Sequence, residues 1–285
     1  MSTILSNKKT DKEGYTEHYK NKVSPLIQKC NNSDEYIAFY EGNNISPFYK
    51  GGSSKGYVKG LAVSKLLEAS SALGVKREQL TILDAGFGLG ELSTYLACKG
   101  FNVIGVDISN TACQSATELS KQIGVSEKCT FLAESLEDTS VADSSIDFII
   151  GHASFHHFIK YEKIPKEFHR VMKEDAKGFF ADSFGENKLY HLFHNKERME
   201  KLGDVILTKK LIDNYFPCFK VDLIPTDWFV MLDKFYVRML PKKLRSYMRQ
   251  LSKVHFWLDS KISRTNRISL YLSGSVMTAI SKISE

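Results

Sequence analysis

Apolar and polar positions along the chain alternate between two periods. Short apolar runs at Thr81–Asp84, Asn102–Val106, Cys129–Ala133, Ile146–Ile150, Gly178–Ala181 and Phe219–Ile224 predict strands. Between them lie stretches with helical spacing, at about 91–99, at 110–123, and at a helix that carries Ile164, Phe168, Val171 and Met172 inward. Strands separated by helices predict an α/β fold. Ile268–Ile280 is the one further strand-like run. Upstream, 22–40 predicts two helices broken at Asn31-Asn32, the second capped by Ser33 or Asp34, and 57–73 predicts an amphipathic helix lying on the sheet. The loop between them carries Phe48 and Tyr49, which suit either core plugs or part of a lid. Residues 184–216 predict a polar loop and two helices, with Glu186, Asn187, Lys188 and His191 as candidate substrate contacts against a solvated-face alternative.

The first strand runs into Asp84-Ala85-Gly86-Phe87-Gly88-Leu89-Gly90-Glu91, and a helix follows. Glycine belongs where the chain turns with unusual φ or where a ligand lies against bare backbone. The dinucleotide spacing G-x-G-x-x-G, counted from Gly86, needs a glycine at position 91, and Glu91 stands there. A carboxylate at a helix mouth repels a pyrophosphate, which wants bare N–H groups and a positive helix end. With Asp84 ahead of the glycines, the turn suits a ligand bearing a cationic amine and a sulfonium. Asp107 ends strand 2 about twenty residues after the glycines, which suits a ribose diol, or alternatively the cap of the next helix, a task open also to Ser109 or Asn110.

Asp84, Gly86, Gly88 and Gly90 after a strand, with Val-Asp-Ile-Ser ending the second, resemble motif I and its partner strand in the class I S-adenosylmethionine (SAM)-dependent methyltransferases. The resemblance covers roughly residues 57–225. It implies a Rossmann-like, mostly parallel seven-stranded sheet with an antiparallel strand 7, helices on both faces, and SAM as cofactor. It places Asp84, Gly86, Gly88, Gly90, Asp107 and Ile108 at the cofactor. It places Glu134, Ser135 and Leu136 near the adenine, with either Ser135 or Glu134 to bind N6 and Leu136 on the ring. His152 replaces an asparagine frequent in the family beside the methionine end. The implied division is a helical lid at 1–55, a SAM-binding core at 56–225, a basic helical insert at 226–267 and strand 7 within 268–285.

Strand 4 ends in Gly151-His152-Ala153-Ser154-Phe155-His156-His157-Phe158. Three histidines within six residues, at the carboxyl end of a strand where α/β sites lie, are unusual. Asp182 ends strand 5, and the spacing of His157 and Asp182 resembles that in sugar and natural-product O-methyltransferases. That likeness implies His157 as the base for an acceptor hydroxyl, His156 as second choice, and Asp182 as partner or acceptor-positioning group.

Charge refines this picture. The net charge is +6, but 226–285 holds eleven Lys/Arg against four acids, leaving about −1 for the remainder. In the insert, Phe229, Leu232, Phe235, Tyr236, Met239 and Leu240 recur at helical spacing with Lys and Arg between them. This predicts a helical cap with a solvated basic face, or a basic amphipathic surface for a membrane or an anionic or lipid-like acceptor. No nucleic-acid partner is expected, since no stacking motif accompanies the charge. Five cysteines without a C-x-x-C pair point to reduced thiols and no metal cage. With no secretory signal or spanning run, the expected location is cytoplasmic, with peripheral membrane contact through 226–267 as a further expectation.

The expected function is methyl transfer from SAM to a small-molecule acceptor, a hydroxyl on a natural product, sugar or lipid-like substrate. The alternatives are methylation of C or N in a metabolite, methylation of RNA or protein, and a SAM-binding regulator without turnover.

Overall fold

The computed structural model describes residues 29–45, 54–186, 204–226 and 273–283, with Val254 and Leu258 between. Its elements in chain order are α1 (Ser33–Tyr40, continuing as a π-helical turn Glu41–Ile45), α2 (Ser54–Ala72), β1 (Thr81–Ala85), α3 (Glu91–Cys98), β2 (Asn102–Asp107) and α4 (Asn110–Ile123). Then follow β3 (Cys129–Ala133), β4 (Ile146–His152), α5 (Phe155–Phe158), α6 (Ile164–Val171), β5 (Met172–Ser183), α7 (Lys209–Tyr215), β6 (Phe219–Thr226) and β7 (Ser275–Lys282). The seven strands form one sheet in the order β3-β2-β1-β4-β5-β7-β6, with β7 antiparallel to both its neighbours.

Side chains on the central strands alternate between two cores, as the pleat requires. Ile82, Phe148, Ile150 and Phe179 pack on one face with Tyr36, Val58, Leu66, Tyr95 and Leu119 from α1 to α4. Leu83, Ile149 and Phe180 face the other way, toward Phe155, Phe168, Ile212 and Phe216 from α5, α6 and α7. The strand order reverses between β1 and β4, and the crevice outside the carboxyl ends of strands at such a point is where an α/β sheet takes a ligand.

Several boundaries differ from expectation, for local reasons. Asn32 caps α1 by accepting from the Glu35 N–H at 3.0 Å, so the cap lies one residue before Ser33 and two before Asp34. Helix α4 is capped by Ser109, which accepts from the Ala112 N–H, and is ended by left-handed Gly124. Among the described residues strand 7 is Ser275–Lys282, ending two residues past the expected 268–280 run, with Val276 and Ile280 reaching one core and Met277 the other. Strand 5 starts at Met172, and the pairing with β4 shifts register between Ile146 and Phe148. Asp147 lies at that irregularity, accepting from the Thr81 N–H at 2.8 Å and pairing with Lys173 at 2.7 Å, so the acid in the strand is satisfied at its edge. The lid loop with Phe48 and Tyr49, most of 184–216 and nearly all of the basic insert lie outside the described residues. All five cysteines carry free thiols, and among the described residues no helix is long and apolar enough to cross a membrane.

Candidate active site

The glycine turn between β1 and α3 is shaped by left-handed backbone. Gly86, Gly88 and Gly90 have φ of 76°, 59° and 75°. A Cβ on Gly86 would also lie 2.7 Å from the Ser154 Cβ, and one on Gly90 only 2.4 Å from the Ala116 Cβ. Gly86 is therefore required by conformation and by the close approach of the β4–α5 turn. That turn is itself strained: Ala153 has φ 52°, unusual for a residue with a side chain. The left-handed step drops Ser154 onto the glycines, where its hydroxyl donates to the Ala85 carbonyl at 2.7 Å.

A cavity of about 270 Å3 opens at the carboxyl ends of β1, β2 and β4. Its lining includes Gly86, Gly88, Asp107, Ile108, Glu134, Ser135, Leu136, His152 and His157, nine of the thirteen site residues expected from sequence. Lining residues that the sequence did not single out are Phe87, Val106, Ala153, Ser154, Phe158, Tyr161 and Ile164. Phe158 and Ile164 follow the helical apolar spacing after β4, a signal that reads equally well as core.

Asp107 is the best-placed acid. Its Oδ2 accepts from the Gly88 N–H and its Oδ1 from the Ser109 N–H, both at 3.0 Å. Each oxygen keeps a lone pair, the arrangement that can hold a diol. Burial raises its pKa to about 6 against the pull of these N–H groups. Near the expected adenine end, both Glu134 oxygens are tied to Ser140, to its N–H and its hydroxyl at 2.8 Å each. The Ser135 hydroxyl accepts from the Glu137 N–H at 3.3 Å, which leaves its own proton to donate.

Asp84, Gly90, His156 and Asp182 do not line the cavity. Asp84 shares strand parity with Ile82 and so points to the α3 face, where it is 1% exposed and accepts from the Ser93 hydroxyl at 2.6 Å. Burial raises its pKa to about 7, and the nearby Asp107 charge adds to the rise. The expectation that Asp84 and Glu91 face the ligand directly is thus corrected: Asp84 is a buried brace under the turn, and Glu91, the first residue of α3, is not among the lining residues. Half-buried Lys59 on α2 sits over the Tyr40 ring at 5.1 Å, and desolvation lowers its pKa to about 8.

The histidines divide between two carboxylates. His156 Nδ1 lies 2.8 Å from Asp182 Oδ1, and Asp182 also accepts the Ser183 N–H at 2.7 Å. His157 Nδ1 lies 2.9 Å from Oδ1 of Asp204, a residue the sequence did not flag. The contact is close in distance but off the direction of a hydrogen bond, since that buried oxygen has no hydrogen-bond partner. The imidazole rings stand 3.8 Å apart. Burial lowers the His157 pKa and outweighs the Asp204 carboxylate, which raises it. Asp182 is therefore the partner of His156, and Asp204 that of His157. Glu186, a candidate substrate contact against a solvated-face alternative, accepts from the Lys209 N–H at the start of α7 at 2.8 Å.

SAM fits the donor set. The lining offers two bare-backbone glycines, a half-buried carboxylate for a diol, and apolar Ile108 and Leu136, and among the lining residues there is no Lys or Arg for a pyrophosphate.

Comparison with known proteins agrees. Residues 83–180 match the methyltransferase domain family. The chain is 26% identical over 172 residues to a sterol 4-C-methyltransferase of Caenorhabditis elegans, covering 59% of this chain and 46% of that protein. It is 28% identical over 108 residues to an uncharacterized methyltransferase of Bacillus subtilis, covering 38% of this chain and 42% of that one. The chain thus spans less than half the length of these curated relatives. Among solved structures, it is similar to the geranyl diphosphate C-methyltransferase of Streptomyces coelicolor in complex with Mg2+, geranyl diphosphate and S-adenosyl-L-homocysteine. That likeness has a TM-score of 0.55 at 12% identity and covers 96% of this chain and 98% of the other. At such identity it is a likeness of fold.

Proposed function

We propose that the core of this chain is a class I SAM-dependent methyltransferase domain and that the protein moves a methyl group from SAM to a hydroxyl on an apolar, lipid-like small molecule. The observation that carries the reading is the cavity itself, with Gly86, Gly88 and Asp107 on one side and His157, backed by Asp204, on the other. When bound, SAM supplies a methyl group made electrophilic by its sulfonium.

The chain's own residues do the rest. Asp107 accepts the two ribose hydroxyls with the lone pairs that Gly88 and Ser109 leave open. Ile108 and Leu136 hold the adenine between apolar surfaces, and Ser135 donates to a ring nitrogen. Asp84 acts from behind the turn, holding Ser93 and with it the first turn of α3. His152 borders the methionine end. Phe158, Tyr161 and Ile164 form an apolar wall that excludes water.

A hydroxyl acceptor must lose its proton as its oxygen attacks. The negative charge of Asp204, 2.9 Å from His157 Nδ1, favours a proton on that nitrogen without a directed hydrogen bond. The other ring nitrogen, Nε2, is the atom that takes the acceptor proton. His156, its ring tilted 45° against that of His157 and anchored by Asp182, holds the ring in place. Asp204, His156 and Asp182 are thus positioning residues, and His157 is the base.

A second reading, transfer to carbon, is favoured by the named activity of the sterol relative and uses the same base to remove a proton after the methyl is added. The test is labelled SAM with a panel of apolar alcohols and isoprenoid or sterol acceptors, and product analysis to separate methyl ethers from C-methyl products. His157→Ala should lower turnover by about 10²-fold or more while SAM affinity stays within a few-fold. Full turnover in that variant would rule out the base.

A further inference from the structure

The histidine pair has a geometry that a proton-transfer role alone does not require. His156 Nε2, His157 Nδ1 and an Asp204 oxygen all lie within 4.8 Å of one another. His156 Nε2 is 3.9 Å from Asp204 Oδ2, too far for a hydrogen bond. In a tetrahedral site with ligands about 2.0–2.2 Å from the cation, two ligand atoms stand about 3.3–3.6 Å apart, which a small side-chain adjustment from 3.9 Å reaches. Asp204 Oδ1 is buried, 2.9 Å from His157 Nδ1 and off its hydrogen-bond direction, so the two atoms converge on shared space more than on each other.

The surroundings are those of a ligand set. Asp182 faces His156 Nδ1 at 2.8 Å, which puts the ring proton there and the lone pair on Nε2, turned toward Asp204. A carboxylate behind a histidine is the usual outer support of a metal-binding imidazole. The Val205 N–H donates to the His156 carbonyl at 3.0 Å, so the backbone that carries Asp204 is tied to that of His156. Two imidazoles and one carboxylate suit Zn2+ or Co2+ over the all-oxygen cages of Mg2+ and Ca2+.

We propose that His156, His157 and Asp204 form a site for a Zn2+-class divalent cation, and that its occupancy switches methyl transfer off. Neutral imidazole has one lone pair in the ring plane. With the cation on Nδ1 of His157, the proton resides on Nε2, and that nitrogen has nothing left to accept the acceptor's proton. Asp204, which favours the opposite tautomer in the metal-free state, is taken up as a ligand. The metal-bound and transfer-competent states of the same three residues are mutually exclusive. The inhibitory half of the proposal rests on His157 being the base, whereas the binding half does not.

The experiment uses the full chain stripped with EDTA and dialysed. Co2+ is added while the visible d–d absorption is followed, Zn2+ binding is measured by calorimetry, and methyl transfer is assayed with and without Zn2+. We expect one cation per chain and a Co2+ band abolished in His156→Gln. His169→Ala, outside the cluster, should retain it. Saturating Zn2+ should lower turnover by about 10²-fold, the loss expected for a missing general base, and EDTA should restore it. SAM affinity should be unaffected by Zn2+, and retained SAM binding by His156→Gln shows that this variant is folded. Absence of both the Co2+ band and Zn2+ heat overturns the site and leaves the base assignment to the His157→Ala test. Stoichiometric binding with undiminished turnover overturns the switch, and identifies the base assignment as the failed premise.

Discussion

At Asp107 one side chain joins the turn to the expected ligand. Each carboxylate oxygen already holds a backbone N–H, and neutralising it removes the acceptors that a ribose diol needs. Burial raises its pKa to about 6, so SAM affinity should hold at pH 8 and weaken as pH falls through 6. Calorimetric titration at pH 5.5 and 8 checks this, and Asp107→Asn should bind weakly at both. Asp84, with its pKa raised to about 7, bears on stability instead. Between its ordinary value and about 7 the folded state binds the extra proton, so the apo-protein loses stability as pH rises through that window. Asp84→Asn should therefore raise the melting temperature at pH 8 and flatten the pH slope, each unit of raised pKa being worth about 1.4 kcal/mol. A melting temperature unchanged at pH 8 would contradict that account. Both residues were legible as acids near the ligand, but their division of labour was not. The parity shared with Ile82 was in the sequence and assigns Asp84 to the α3 face, whereas Asp204 carried no signal, since it follows a long polar stretch and meets His157 only through the fold.

Among the elements, the turn from β4 into α5 depends on a residue-by-residue fit with the glycine turn. Gly86→Ala would place a Cβ 2.7 Å from Ser154 on backbone with φ 76°, so we expect a loss of roughly 2 kcal/mol or more and loss of SAM binding, measured by chemical denaturation and calorimetry. The link from the loop after β3 to α6 is electrostatic. Glu167 on α6 accepts from the Thr139 N–H and hydroxyl and from Arg170, whose hydrogen bond contributes most to holding its pKa down at about 2. A depressed carboxylate contributes stability above its unfolded value that is lost as pH falls toward the folded one. Glu167→Gln should destabilise by roughly 1–3 kcal/mol at pH 7, with the deficit vanishing near pH 2. An equal deficit at both values would mean that packing, not charge, is responsible. The strands and the helices between them were legible because their apolar runs are long relative to the turns. Boundaries at β5 and β7 were not, because register across the sheet, not local pattern, decides where pairing begins.

For the whole molecule, two apolar cores on either side of one sheet leave a crevice where the strand order reverses, and the residues that line it come from separate stretches of chain. The cofactor was legible because the glycines and Asp107 belong to adjacent strand ends and their spacing encodes their neighbourhood. The acceptor was not, because its contacts depend on loops that share no local pattern. The basic stretch at 226–267 holds ten Lys/Arg against three acids, enough to account for the whole of the net positive charge. The central claim is that this crevice binds SAM through Asp107. Calorimetric titration of the protein with S-adenosylhomocysteine, with NADH as comparison and Asp107→Ala as control, tests it most directly. The account predicts one-to-one binding of S-adenosylhomocysteine, abolished in the variant, and no heat from NADH. Equal binding by the variant, or preference for NADH, would contradict it.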